Sequence, residues 1–328
     1  MKAAYYDRQG PASEVLKLGE FALPEPGPNE VRVKLHASGV NPSDIKARTG
    51  FSAKMGFPAI IPHQDGAGTI DKVGAGVTTH QIGDRVWLYE AQYGKPHGTA
   101  AEYVVVPAVQ AAALHAGVSF EMGACLGIPA LTAHRCLFAD GPITGRRVLI
   151  HGGAGAVGSA AIALAKWAGA WVATTVTKPE HEASARRAGA DVVVLRTDDA
   201  LVETLRSASS NQGFDRIVEV ALTANLDIDL ACLSIGGVIS TYGLEDASEQ
   251  LVLPILKAMV KGSVFRFVYI YAVPNHAKLE AVAAINVCLA ANAYVPAIGK
   301  IVPLERIAEA HQCQESGEIA GKIVVAIN

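Results

Sequence analysis

The sequence predicts an α/β protein: a doubly wound parallel sheet inserted into a second, β-rich unit. Three observations predict it. Strand-like and helix-like segments alternate from about residue 147 to 261. The first turn of that alternation is Gly152-Gly153-Ala154-Gly155-Ala156-Val157-Gly158, set between an apolar strand and an alanine-rich helix without proline. Residues 1–110 follow a different grammar, with short alternating segments broken by proline and glycine turns.

In the first part, strand-like segments fall at 1–6, 30–38, 66–73, 85–89 and 101–106. Turns such as Pro24-Glu25-Pro26-Gly27-Pro28 and Gly74-Ala75-Gly76 separate them. A short helix can start at Asn41-Pro42-Ser43-Asp44-Ile45, capped by Ser43 or Asp44. Residues 121–138 read as helical, with Pro129 as an interruption or a new start. Strands are then expected at 147–151, 171–176, 191–195, 215–220 and 236–242. The helices between and after them are expected at 156–169, 179–188, 199–209, 224–234 and near 249–261. Such a βα period implies parallel strands with helices on both faces, because crossovers are right-handed. The last part holds a strand-like 265–272, a helix at 276–293 and a terminal strand at 321–327. That terminal strand can pair back with the N-terminal region, which would make the first unit discontinuous. The expected division is 1–120, 121–264 and 265–328.

The glycine turn carries the strongest functional signal. Gly153-x-Gly155-x-x-Gly158 after a strand and before a helix is a dinucleotide fingerprint. The first glycine permits the tight turn and the second lets main chain approach a pyrophosphate. The third brings the helix close to the strand. Gly153, Gly155, Ala156, Val157 and Gly158 are therefore the expected phosphate contacts, with the helix N-terminus adding N–H groups and partial positive charge. An acid about 20 residues further on would hold the ribose of NAD. Here the second strand runs into Thr177-Lys178, with no acid before Glu180. Thr175, Thr177, Lys178 and Arg196 suit a 2′-phosphate instead, and His181 could add charge. NADPH is the expected cofactor, although Lys178 would serve equally as a solvated residue at a helix start.

The chain has 328 residues, half of them hydrophobic and 18% charged, enough for a sizeable core in one large or two smaller domains. Its net charge of −3, with scattered Lys and Arg, suggests neither a nucleic acid nor a membrane surface as partner. No stretch approaches about 18 apolar residues in a row, and Met1-Lys2-Ala3-Ala4-Tyr5 lacks the apolar core of a signal peptide. A soluble, cytoplasmic protein is expected. The five cysteines are widely spaced with no CxxC pair, as buried free thiols would be.

With these residues in view, the chain resembles the zinc-free, NADPH-dependent quinone oxidoreductases of the medium-chain dehydrogenase/reductase superfamily, the zeta-crystallin group. Gly39-Val40-Asn41-Pro42-Ser43-Asp44, Asp65-Gly66-Ala67-Gly68 with Val73-Gly74, Gly83-Asp84-Arg85-Val86, Gly98-Thr99-Ala100-Ala101-Glu102-Tyr103 and Leu131-Thr132-Ala133 carry the likeness. So do Gly153–Gly158 and the closing Gly321-Lys322-Ile323-Val324-Val325. The resemblance implies a GroES-like catalytic domain from both chain ends, an inserted Rossmann domain, an active site in the cleft between them, and a homodimer joined through the apolar 264–272 region. It also implies that Tyr242, Gly243, Phe267, Val268 and Tyr269 line the cofactor and that Gly321-Lys322 closes over it. The aromatic residues would serve equally as plain core.

Related alcohol dehydrogenases hold a catalytic zinc with a Cys, a His and a Cys or Asp. Here Asn41 stands at the cysteine's place and Gln64 at the histidine's, with His63 one residue off. No cysteine precedes Cys125, so no metal is expected. Without a Lewis acid, quinones and conjugated enones are the expected hydride acceptors. Asn41 is the candidate donor to a carbonyl gaining charge, and would serve equally as a turn cap before Pro42. Thr132 is the second catalytic candidate, placed on the nicotinamide side. Lys46 and Tyr89 are pocket candidates with Asn41. An enoyl or 2-alkenal reductase, and a protein that binds NADPH with little turnover, remain as alternatives.

Overall fold

The computed structural model describes residues 1–51 and 54–327. The chain divides into two compact units, one of residues 1–128 with 296–328 and one of residues 129–295.

The first unit begins with β1 (Lys2–Tyr5), α1 (Ala12–Val15) and β2 (Lys17–Glu20), in which β1 and β2 pair antiparallel. Next come β3 (Glu30–Val40), α2 (Pro42–Thr49), β4 (Asp65–Val73), β5 (Arg85–Leu88), β6 (Tyr103–Pro107) and β7 (Ala111–Ala113). α3 (Phe120–Gly123) and the first residues of α4 (Gly127–Phe138) complete its N-terminal part. Pro129 does not interrupt α4. It lies in the first turn, where a missing N–H leaves no intrahelical bond unmade.

The second unit is a six-stranded parallel sheet. Its strands and helices are β8 (Arg147–Ile150), α5 (Ala156–Trp167), β9 (Trp171–Val176), α6 (Glu182–Arg187), β10 (Val192–Leu195) and α7 (Leu201–Ala208). They continue as β11 (Phe214–Glu219), α8 (Leu222–Cys232), β12 (Leu233–Thr241), α9 (Ile255–Lys261), β13 (Val264–Phe267) and α10 (Asn275–Ala290). The spatial order is β10-β9-β8-β11-β12-β13, every pair parallel. Numbered within the unit that is 3-2-1-4-5-6, the dinucleotide-binding order, which reverses between β8 and β11. Leu149, Ala173, Phe214, Ile217 and Ile239 lie in its core with Leu226 and Leu230 of α8.

The chain returns to the first unit through β14 (Ile298–Pro303), α11 (Ile307–Ser316) and β15 (Lys322–Ala326). β15 runs antiparallel to β3, so the first unit is discontinuous, and its larger sheet has the order β14-β15-β3-β4-β5-β7 with β6 also on β3.

The return falls at residue 296, not at 265. β13 adds a parallel sixth strand beside β12, and its hydrogen bonds hold it to the second unit. It also stops at Phe267, where the expected strand ran on to 272; residues 270–272 form a 3₁₀ turn. α9 begins at Ile255 rather than near 249, because Pro254 tolerates only a helix start.

Candidate active site

The glycine turn sits at the carboxyl end of β8, at the point where the strand order reverses. Gly152 adopts φ +73°, open to glycine without strain. A Cβ on Gly153 would lie 2.1 Å from the Thr174 hydroxyl oxygen, and one on Gly158 2.2 Å from the Gly152 carbonyl oxygen. These two glycines serve the packing of turn, strand and helix. Gly155 differs: a Cβ there meets only the Gly152 carbonyl oxygen, at 3.3 Å. It is the N-cap of α5 and carries no side chain to satisfy the first N–H groups, and the first turn holds no acid. Those N–H groups and the helix dipole form a cradle for an anion. Thr175 supports the turn from β9, its carbonyl accepting the Gly153 N–H at 3.0 Å.

The adenosine-side candidates follow the ends of β9 and β10. Thr177 and Arg196 are exposed, and Lys178 is half-buried. Main chain ties them together, with the Arg196 N–H on the Val176 carbonyl at 2.8 Å. Arg196 also reaches Asn225 on α8, Nη2 to Oδ1 at 3.0 Å. His181 is buried. Beyond β12, Tyr242 and Gly243 are half-buried, and Gly243 is held by close approach to the Val220 carbonyl. Val268 is buried, whereas Phe267 and Tyr269 are 69% and 60% exposed on and just after the edge strand.

In the first unit, the sheet register brings three distant residues together. Gly39 pairs with Asp65 on β4 and with Val324 on β15. Asn41, just past β3, is the N-cap of α2, and Asp65 opens β4. Lys322 opens β15 behind Gly321, whose φ of +87° makes the turn. Asp65 is fully buried and satisfied on both oxygens. Its Oδ1 accepts the Ile128 N–H at 2.8 Å, capping α4. Its Oδ2 accepts from Asn41 Nδ2 at 2.8 Å and from the Lys322 ammonium at 3.0 Å. That ammonium also donates to Asn41 Oδ1. The Lys322 charge thus faces Asn41 and Asp65 in a buried ion pair. Asp44 accepts the Asn41 main-chain N–H at 2.7 Å. Burial first, then the charge of Asp65, pushes its carboxyl up to about 7.

His63 starts a buried chain of hydrogen bonds. Its Nδ1 lies 2.7 Å from Ser38 Oγ, which lies 2.7 Å from Thr99 Oγ1; Thr99 donates to the Asp65 carbonyl at 2.5 Å. On the other side His63 Nε2 lies 2.9 Å from His311 Nε2, and His311 Nδ1 accepts from Arg48 Nε at 3.3 Å. The ends fix every proton. Arg48 can only donate, so His311 carries its hydrogen on Nε2. His63 accepts there and donates from Nδ1 to Ser38, and Ser38 donates to Thr99. Both imidazoles are neutral: burial, then the Lys322 charge, holds His63 down to about 3, and burial holds His311 well below the ordinary value.

The remaining candidates are occupied in different ways. Tyr89 is buried and its hydroxyl donates to the Val109 carbonyl at 2.8 Å. The Lys46 ammonium sits over the Phe51 ring, 4.5 Å from its centroid. Thr132 is buried in α4. Gln64 donates from Nε2 to Gln92 Oε1 at 2.9 Å.

Comparison with known proteins now decides the family. Residues 27–116 match the alcohol dehydrogenase GroES-like domain, and residues 156–287 match the domain described as zinc-binding dehydrogenase. A pig (Sus scrofa) quinone oxidoreductase is 31% identical over 301 residues, covering 91% of this chain and 89% of that protein. The chain belongs to the quinone oxidoreductase family. As a member of the medium-chain dehydrogenase/reductase superfamily, it has the Rossmann sheet and the GroES-like unit described above. Among solved structures, Escherichia coli quinone oxidoreductase complexed with NADPH superposes with a TM-score of 0.85 at 25% identity, covering all of both chains. A protein described as an NAD-dependent alcohol dehydrogenase superposes with a TM-score of 0.89 at 27% identity, again over all of both chains. Among the described residues, no helix of this family member is long and apolar enough to cross a membrane.

Sequence reasoning missed Asp65 as the hub of the first unit and His311 as a partner of His63. No local signal marks either contact: Lys322 and Asp65 are 257 residues apart and His63 and His311 are 248 apart.

Proposed function

We propose that the chain is an NADPH-dependent reductase of quinones that works without zinc. The bare Gly155 cradle at the strand-order reversal, with Thr177, Lys178 and Arg196 after the neighbouring strands and no acid at the end of β9, carries this reading. The main chain of Gly155, Ala156, Val157 and Gly158 would hold the pyrophosphate, with Gly153 shaping the turn, and the three polar residues would hold the 2′-phosphate. Bound NADPH supplies a hydride. The chain supplies binding, orientation and a hydrogen bond to the acceptor.

Asn41 is the proposed donor. One N–H of its amide is fixed on Asp65, and the Lys322 ammonium on its oxygen polarises the group and strengthens the second N–H. A carbonyl oxygen that gains negative charge would accept from it. The donor chemistry supports independence from zinc. At the positions of the zinc ligands of related alcohol dehydrogenases stand two amides, Asn41 and Gln64, and the Asn41 oxygen already faces an ammonium. Both ring nitrogens of His63 are engaged.

A homodimer belongs to the same reading. The edge strand β13 and the neighbouring α9 expose Val264, Phe267, Leu256, Met259 and Val260, an apolar face suited to a second copy. The test is turnover with a panel of quinones and enones at saturating NADPH. Asn41→Ala should lower kcat/KM for a quinone by about 10–100-fold; an unchanged value removes Asn41 from the chemistry. A panel reduced only at enone double bonds would replace the quinone by the 2-alkenal reading.

A further inference from the structure

Behind the glycine turn lies a buried polar cluster that the proposed reaction does not use. His151 is the last residue before Gly152. Its Nε2 lies 3.0 Å from Asp229 Oδ1 on α8 and 3.5 Å from Glu219 Oε2 at the end of β11. Its Nδ1 lies 3.0 Å from Thr175 Oγ1 on β9. Asn225 on α8 donates to both Glu219 oxygens, at 3.0 and 3.1 Å, and accepts from Arg196. All but Arg196 are buried, and Asp229 Oδ2 has no hydrogen-bond partner. Among the described residues this is the group of His, Cys, Asp and Glu drawn closely enough together to suggest a metal.

We infer that His151 is a positioning residue for the dinucleotide turn, and that the proton it shares with Asp229 makes cofactor affinity fall as pH rises. The inference rests on the reading of that turn as the NADPH site. Facing two carboxylates, His151 Nε2 must carry hydrogen. The imidazole thereby sets Thr175, whose Oγ1 faces the Gly152 N–H at 3.4 Å and whose carbonyl takes the Gly153 N–H. His151 also anchors its own main chain, its N–H on the Val218 carbonyl at 3.0 Å. The charges that face this imidazole come from just past the end of β10, from β11 and from α8: Arg196, Glu219 and Asp229. Arg196 reaches Glu219 only through Asn225. Asp229 is balanced only while the cluster holds one further proton, on His151 Nδ1 or on the Asp229 carboxyl. Burial pushes Asp229 up to about 7 despite the opposing pull of His151. Burial alone would lower His151, but the Asp229 hydrogen bond and the charges of Glu219 and Asp229 outweigh it and raise the group. Loss of that proton leaves an uncompensated carboxylate beneath the turn.

The test is the affinity of the full chain for NADPH from about pH 6 to 8.5 at fixed ionic strength, in the wild type and in Asp229→Asn. The 2′-phosphate, with a second pKa of about 6, titrates alike in both, so the difference between the profiles is the readout. Wild-type affinity should fall about three- to tenfold more than that of the variant. Thr175→Val, which keeps the shape and removes the hydroxyl, carries the test if Asp229→Asn does not fold. It should lose the extra pH dependence of affinity and keep the pH dependence of melting temperature. Parallel profiles in all folded proteins overturn the inference while leaving the NADPH site standing. A wild type that binds no pyridine nucleotide overturns both. Stoichiometric divalent metal that is lost in Asp229→Asn also overturns it, because the metal would occupy the proton's place.

Discussion

At the scale of single residues, the fully buried Asp65 organises the first unit. One carboxylate caps α4, fixes the Asn41 amide and neutralises Lys322. Removing one partner of such a buried pair costs about 3–5 kcal/mol, whereas an exposed pair contributes about 0–1 kcal/mol. Lys322→Met should therefore lower unfolding free energy in denaturant far more than Lys17→Met, which breaks only the exposed pair with Asp7. Equal effects would show that the ammonium does not hold the site. The histidine chain gives a second prediction. His63 and His311 are neutral when folded, and both lie below the ordinary value of 6.5. Unfolding therefore takes up protons in acid. Their contribution is complete above about pH 6.5 and is lost as pH falls below it, toward about 3 for His63, at up to about 1.4 kcal/mol per pH unit for each ring. A His63→Asn, His311→Asn double variant should be less stable at pH 7 and show a shallower fall in acid. The same steepness in both proteins would contradict the neutral rings assigned here.

At the scale of elements, the glycine turn separates packing from binding. Gly158 meets main chain that cannot move aside, whereas Gly155 faces open space apart from one carbonyl. Gly158→Ala should lower the melting temperature clearly. Gly155→Ala should leave it within a degree or two of wild type and weaken NADPH binding about tenfold or more. The reverse pattern would mean that the turn is structural and holds nothing. This is also the scale at which the sequence was most legible. The β8–α5 turn and the alternation after it are local patterns, so strand, turn and helix could be read from neighbouring residues. β2, β7, β14 and α11 escaped because they are short or weakly patterned and depend on distant strands for their place. Asn41 was legible as a motif residue, but the Asp65 and Lys322 that orient it were not. His151 was read only as strand, because its partners lie on three later elements.

At the scale of the whole molecule, the inserted topology follows from β15, which carries Lys322 back beside β3 and Asn41. Each chain end alone holds an incomplete polar cluster. The Rossmann unit leaves β13 as an edge strand with apolar residues exposed, and a charge on such an edge opposes strand pairing. Light scattering should therefore give a dimer for the wild type and a monomer for Val264→Lys. A wild-type monomer would contradict the assigned face. The central claim is a reductant held at the glycine cradle. A calorimetric titration of the purified chain with NADPH and with NADH tests it most directly. The account predicts one site per chain and tighter binding of NADPH; no binding of either nucleotide, or tighter binding of NADH, would contradict it.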